Sequence, residues 1–508
     1  MIQEKLKNLI REALKSESIK ARDIHLEHPA DLSFGDYSSN VALAYAKELK
    51  MKPRELAEKI ASEIGAQKMK DLEKVEVAGA GFINFFLSKE FFADSVGEAI
   101  SKSEKLGANE SLKGRKIMIE YTDPNPFKEF HIGHLMSNTI GESISRIIEF
   151  HGAEVKRACY QGDVGLHVAK AIYGAIKNGE PKNAEEWGRA YTKGSADYED
   201  NAGVKKEIEE LNKKIYERSD KEINTLYDSG RKVSLETFEE MYKQLGTHFD
   251  YYFFESEMAK PGLETVRRFL EKGVFEKSDG AVVFKGEKYN PILHTRVYIT
   301  SQGLPTYEAK ELGLYIVKKK TYPADISIVI TANEQDGVFA VGLEALRQID
   351  TELAMKVRHI SHGLLKLPSG KMSSRKGNIL SADELITDVR KLVEEKIKDR
   401  NYDKALQKEI IEKVSIGAIK YSILRHTVGG DIIYDFEKSI SFEGDSGPYL
   451  QYSYARAKSV LEKAKEEGIK PSVGKIIPET TELEKLLYRF PEIVERAGNE
   501  YSPHYIAN

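Results

Sequence analysis

Cysteine is nearly absent: Cys159 is the only one in 508 residues. That excludes a disulfide framework and any zinc site built from several thiolates, and it suits a reducing, cytoplasmic compartment. No apolar run is long enough to cross a bilayer, so no membrane partner is expected. The N-terminal stretch MIQEKLKNLIREALKSESIK alternates in charge where a secretory leader would be apolar. Charge of neither sign is in excess. With a formal net charge of −4 the chain has no general attraction for nucleic acid, so a polyanionic partner must be held by local patches. There is no internal repeat. What is present, 41% hydrophobic and 31% charged residues, is the composition of a well-cored protein rich in solvated helix, and the length implies about three domains.

The hydrophobic patterning divides the chain. Residues 1 to about 110 open with an amphipathic helix (Ile2, Leu6, Ile10, Leu14) and continue through a Gly/Ser turn into two helices, with Pro53 near the start of the second. VEVAGAGFINFFLS then alternates as a strand, giving a small α+β domain. From 111 to about 380, short strands (KIMIEY, EVKRACY, ISIVIT) alternate with helices, which predicts a doubly wound, Rossmann-like parallel sheet. A polar helical insertion is expected at about 170–290, read as a solvated hairpin. Residues 381–508 read as an all-α domain that ends on an apolar helical pattern and looks truncated.

Within the α/β zone, EYTDPNPFKEFHIGHLMSNTIGESISRIIEF reads as strand, loop and helix. Pro124 and Pro126 stop the strand, and Ile140, Ile144, Ile147 and Ile148 recur at helical spacing. His131 and His134 therefore fall at a helix N-terminus, where unpaired N–H groups and a partial positive charge favour an anion. Gly133 removes the side chain that would obstruct a phosphate or a nucleotide ring. The bland alternative is a pair of polar residues at a helix start. A second segment, KLPSGKMSSRKGNIL, sets Lys371, Arg375 and Lys376 among glycines and serines. It suits a triphosphate whose charge shifts during reaction, and its bland alternative is a basic surface loop. It is not a Walker A loop, since no glycine stands five residues before Gly370.

Taken together, HIGH and KMSS resemble the two ATP-binding motifs of class I aminoacyl-tRNA synthetases. Further blocks in order, FGDYSSNVALAYAKEL, YQGDVGLH, FDYYFFES, GLPTYEAKELGL, VITANEQDGVF and SFEGDSGPYLQYSYAR, are similar to those of arginyl-tRNA synthetases. The resemblance runs almost end to end. It departs at Ser374, where the family pattern has a second lysine, and at Glu311, where the family usually has aspartate.

The resemblance implies ATP as a substrate with Mg²⁺, L-arginine and tRNA(Arg) as partners, a monomer, and arginine–tRNA ligase activity. It implies ATP contacts from His131, Gly133, His134, Lys371, Met372, Ser373 and Ser374, with His131, His134 and Lys371 catalytic. It implies an arginine site of Glu120, Asn125, His131, Glu255, Tyr307, Glu311 and Gln335. A planar, permanently charged guanidinium requires in-plane carboxylates, which Glu255 and Glu311 would supply. Residues 1–110 would be the additional tRNA-contacting domain and 381–508 the anticodon-binding domain. A small-molecule nucleotidyltransferase leaves both flanking domains unexplained, and a glutamyl or glutaminyl enzyme would want cations where Glu255 and Glu311 stand.

Overall fold

The computed structural model describes residues 2–20, 23–366, 380–470 and 480–508. They form two compact units, one of residues 1–108 with 462–493 and one of 109–461 with 494–508.

In the first unit, α1 (Ile2–Ser16) buries Ile2, Leu6, Ile10 and Leu14, the stripe visible in the sequence. β1 (Tyr37–Ser39), α2 (Val41–Tyr45) and α3 (Pro53–Ala66) follow, and Pro53 opens α3 where its missing N–H costs nothing. The run expected as one strand is a hairpin. β2 (Leu72–Ala78) and β3 (Phe82–Leu87) pair antiparallel across a turn in which Gly79 and Gly81 take φ of +53° and +137°. β3 is the middle strand of the sheet β1-β3-β2, and α4 (Lys89–Lys102) is capped by Ser88, which accepts from the Phe91 N–H.

The second unit holds the predicted parallel sheet. β4 (Lys116–Glu120) runs into α5 (Ile132–Phe150), then β5 (Glu154–Gln161). Four helices come next: α6 (Leu166–Asn178), α7 (Ala184–Asp200), α8 (Ala202–Glu217) and α9 (Lys221–Leu245). β6 (Tyr251–Phe254) and α10 (Glu255–Leu270) precede the antiparallel meander β7 (Glu276–Ser278), β8 (Ala281–Lys285), β9 (Thr295–Ile299). The chain continues as α11 (Tyr307–Thr321), β10 (Ile326–Ala332), α12 (Asp336–Ile349), α13 (Thr351–Lys356), β11 (Val357–His362) and β12 (Leu365–Lys366). Beyond it lie α14 (Ala382–Ile397), α15 (Lys404–Leu424), β13 (Ile432–Ile433), α16 (Phe436–Ser439), α17 (Gly447–Glu466), α18 (Glu482–Asn499) and α19 (His504–Ala507).

The central sheet is parallel throughout, in the order β11-β10-β4-β5-β6. The chain winds outward from β4 one way and from β10 the other, so the order reverses between these two strands. Open α/β sheets bind ligands outside the carboxyl ends of their strands at such a point.

Two expectations are corrected. The range 170–290 is not helical throughout: the run of four helices ends at Leu245, Tyr251–Phe254 supplies an edge strand of the sheet, α10 follows it, and the β7–β9 meander begins at Glu276. A four-residue aromatic strand flanked by long helices leaves too few residues for an alternating pattern to show. Nor does the α/β body stop at residue 380. Leu385, Ile386 and Val389 of α14 and Ile416 and Ile419 of α15 share one core with Ile117 and Ile119 of β4 and Ile140 and Ile144 of α5.

Candidate functional site

His131 is the N-cap of α5, and His134 closes a reciprocal capping pair with it. His131 Nδ1 accepts from the Gly133 N–H at 3.1 Å, and His134 Nδ1 accepts from the His131 N–H at 3.2 Å. The two rings stack with centroids 3.5 Å apart and 21° between planes. Burial, with Lys128 as the next cause, lowers the His131 pKa to about 4; burial, then the neighbouring His131, holds His134 well below the usual histidine range. Both rings are therefore neutral near pH 7. With each Nδ1 engaged as an acceptor, the proton of each ring sits on Nε2, so the pair offers two N–H donors beside a helix N-terminus. Gly133 has a further physical reason here: a Cβ on it would lie 3.0 Å from the Cε1 and Nδ1 of His131, so glycine clears space for the capping ring.

The segment on the C-terminal side of KMSS returns to the same place. Ser381 bridges His131, the Ile132 N–H donates to the Leu380 carbonyl at 3.2 Å, and the Ala382 N–H donates to the Phe130 carbonyl at 2.8 Å. Lys371, Met372, Ser373 and Ser374 themselves lie outside the described residues.

Beyond the carboxyl ends of β4, β5 and β6 acidic side chains gather into a buried cluster, the acidic pocket of this site. α11 faces it with Tyr307, Glu311, Tyr315 and Lys318, a stripe at i, i+4, i+8 and i+11. Glu311 is buried, and no cation pairs with it among the described residues; the Tyr315 hydroxyl is its hydrogen-bonding neighbour. Burial, then the Glu120 charge, pushes its pKa up to about 8. Glu120, the last residue of β4, is buried and ion-paired with Lys318 at 2.5 Å. Glu255, the first residue of α10, pairs with Lys310, and burial raises its pKa. Asn125 and Glu255 meet at Gly162: a Cβ there would collide with Asn125 Oδ1 and lie 3.3 Å from Glu255 Oε1. Burial, then Glu311, holds the Tyr307 hydroxyl well above its usual pKa. A buried carboxylate without a paired cation is costly, and a permanently charged planar donor is the ligand that relieves it. Gln335, in the short turn after β10, is half-buried and makes no side-chain hydrogen bond among the described residues; it stands at the strand end next to that of Glu120.

Residues not singled out in the sequence hold this pocket together. Asp163, fully buried, accepts from Tyr227 Oη at 3.2 Å, Arg231 Nε at 2.8 Å, and the Ser256 N–H and Oγ at 2.9 and 2.8 Å. It thereby ties α9 to the first turn of α10, which presents Glu255. The Tyr216 hydroxyl of α8 lies 3.3 Å from Lys310 Nζ, and Ser234 of α9 accepts from the Phe127 N–H at 2.9 Å. The helical insertion is thus built into the walls of the pocket. A charge beside its own neutralising arginine was visible in the sequence only as "GDVG", which also reads as a turn. Asp163→Asn is expected to cost about 1–2 kcal/mol in thermal or urea unfolding and to raise the KM of the pocket's substrate, since Glu255 loses its anchor. Unchanged stability would show that the hub carries no load.

A doubly wound sheet with a donor pair at a helix start and a buried acidic cluster at the topological switch is the architecture of a nucleotide-using α/β enzyme. The comparisons make this specific. The family described as tRNA synthetases class I (R), catalytic domain, matches residues 95–436; the arginyl tRNA synthetase N terminal domain matches 4–87 and the DALR anticodon binding domain 450–508. An arginine–tRNA ligase of Borrelia hermsii is 31% identical over 533 residues, spanning 100% of this chain and 90% of its own. One of Treponema denticola is 32% identical over 514 residues, spanning 96% and 86%. The solved Thermus thermophilus arginyl-tRNA synthetase shares the fold at a TM-score of 0.79 and 24% identity, covering 100% of this chain and 89% of that one. The chain belongs to the arginyl-tRNA synthetase family of class I ligases.

Proposed function

We propose that the acidic pocket takes the arginine guanidinium and the histidine pair takes the triphosphate, so that the chain makes arginyl-adenylate and passes the arginyl group to the 3′ end of tRNA(Arg). One observation carries this reading: Glu311, buried and without a paired cation, sits among carboxylates at the same carboxyl end of the sheet as two neutral imidazoles whose free Nε2–H groups can donate. Glu255 and Tyr307 flank the guanidinium, while Glu120, Asn125 and Gln335 hold the α-ammonium end. The carboxylate of arginine, already ionised, attacks the α-phosphorus in line and pyrophosphate leaves, so no protein base is required. The Nε2–H groups of His131 and His134 and the α5 N-terminus stabilise charge that builds on the phosphates, with Gly133 permitting approach. Lys371, with Met372, Ser373 and Ser374, closes on the leaving pyrophosphate. Mg²⁺ enters with ATP as part of the substrate; among the described residues no group of three His, Cys, Asp or Glu side chains would hold a metal.

Residues 1–110 serve tRNA contact and the C-terminal helices serve the anticodon, in a monomer working in the cytoplasm; among the described residues no helix is long and apolar enough to cross a membrane. The test is ATP–pyrophosphate exchange with arginine, lysine and glutamate, each with and without tRNA. Exchange dependent on arginine alone supports the reading; exchange driven by lysine or glutamate overturns it.

A pH dependence follows. In the empty pocket Glu311 holds a proton below about pH 8, and a guanidinium favours the carboxylate. Arginine affinity is therefore expected to weaken as pH falls below 8 and to strengthen as pH rises through it. Binding near pH 7 should release a proton, seen as a buffer-dependent heat in calorimetry. A buffer-independent heat would mean that Glu311 is not the acceptor.

A further inference from the structure

The pocket holds four buried or part-buried carboxylates, Glu120, Asp123, Glu255 and Glu311, and two buried lysines. The lysines are not shared evenly. Lys310 pairs with Glu255, and Lys318 with Glu120, while Glu311 has neither. Asp123, whose Oδ1 accepts from the Tyr160 N–H at 2.7 Å, is the third carboxylate within the field of Lys318. The other titratable groups facing this cluster include the hydroxyls of Tyr160, Tyr216, Tyr307 and Tyr315, with Asp163 and Lys128 acting on Glu255 from further out.

Lys318 sits near the C-terminal end of α11, two turns beyond Glu311, and its side chain is 4% exposed. A buried lysine that met no ligand and only neutralised one carboxylate would be replaceable by an apolar residue beside a neutral one. Here its placement has a consequence for binding. Two carboxylates facing each other in a dry site share a proton, and which one keeps its charge is set by the nearest cation. Lys318 stands on Glu120 and leaves Glu311 without a cation.

We infer that Lys318 is a positioning residue that sets specificity. Its ion pair fixes Glu120 at the α-ammonium end and leaves Glu311, which no lysine neutralises, turned to the guanidinium beside Glu255. The inference rests on reading Glu120 and Glu311 as arginine ligands. It also matches charge in the occupied site: once binding has displaced the protons of the cluster, four carboxylates less two lysines leave two negative charges for the guanidinium and ammonium of arginine.

The test is pyrophosphate exchange at varied arginine and ATP across about pH 6–9 for Lys318→Gln, Lys318→Arg, Glu120→Gln and the Lys318→Gln/Glu120→Gln pair. Lys318→Gln is expected to raise the arginine KM about tenfold or more at neutral pH, leave the ATP KM alone, and move the acidic limb of kcat/KM for arginine up by about one pH unit. Lys318→Arg should recover most of the loss. The paired variant, which buries no unmatched charge and so protects against a folding failure of the single one, should have its limb below that of Lys318→Gln. If Glu120→Gln raises the arginine KM but Lys318→Gln moves neither KM nor limb, the inference falls and the site reading stands. Equal losses toward ATP and arginine, with no shift of the limb, reduce Lys318 to a structural role and also overturn it. If Glu120→Gln leaves the arginine KM unchanged, the site reading itself fails.

Discussion

Glu311→Gln is expected to raise the arginine KM about 10- to 150-fold, the equivalent of one lost charge-assisted hydrogen-bond set, while the ATP KM and thermal unfolding stay near those of the parent. The substitution keeps the volume and one acceptor of the side chain. It removes the charge and turns an amide N–H₂ toward a group that is itself all donors. Because Glu311 is buried without a paired cation, and the amide oxygen can still accept from the Tyr315 hydroxyl, stability is expected to hold or rise slightly. The same variant should lose the acidic limb of arginine affinity that begins below about pH 8, since no carboxyl is left there to titrate. A variant with parental KM, or one that keeps the limb, would place the guanidinium elsewhere.

His131→Asn should slow adenylate formation about 10²- to 10³-fold, the loss typical of one donor to developing charge, with little change in arginine KM. Asparagine is chosen because it is among the best N-cap residues, so its side-chain oxygen can take over acceptance from the Gly133 N–H that Nδ1 performs. What it lacks is the Nε2–H. His131→Ala removes cap and donor together and is expected to cost about 1 kcal/mol of stability besides the rate. If His131→Asn turns over at the parental rate in single-turnover measurements while His131→Ala is merely less stable, the imidazole is a cap and not a phosphate donor.

Much of the frame was legible in the residues, for reasons that can be named. Pro124, Pro126 and the isoleucine spacing after His134 put the histidines at a helix start, and α5 begins at Ile132. KIMIEY, EVKRACY and ISIVIT became neighbouring parallel strands because runs buried on both faces are the commonest mark of such sheets. The small-domain hairpin was missed because a continuous alternation hides a reversal at Gly79–Gly81. Lys310 and Lys318 escape a reading of the sequence because lysines in a helix such as EAKELGLYIVKKK ordinarily face water; only the fold shows that α11 is buried on nearly every side at both positions. The insertion read as a solvated hairpin for the same reason. Its charged outer faces dominate the sequence, while Tyr216, Tyr227 and Arg231, the residues that meet Lys310 and Asp163, are few and far apart.

Two independent pieces of chemistry converge at one sheet edge. Neutral, donor-only imidazoles suit an anion that gains charge during reaction, and an unpaired buried carboxylate suits a cation that never loses it. Neither feature alone distinguishes a synthetase from another nucleotide-using enzyme. Together they suit a substrate that carries a phosphate at one end and a guanidinium at the other.

The most direct measurement is a crystal structure of the protein bound to a non-hydrolysable arginyl-adenylate analogue. The guanidinium should lie in the plane of the Glu311 carboxylate with Glu255 beside it, and the phosphate-mimicking group should lie within hydrogen-bond distance of the Nε2 atoms of His131 and His134. A guanidinium in open solvent, or an analogue whose phosphate mimic sits away from both imidazoles, would contradict the account.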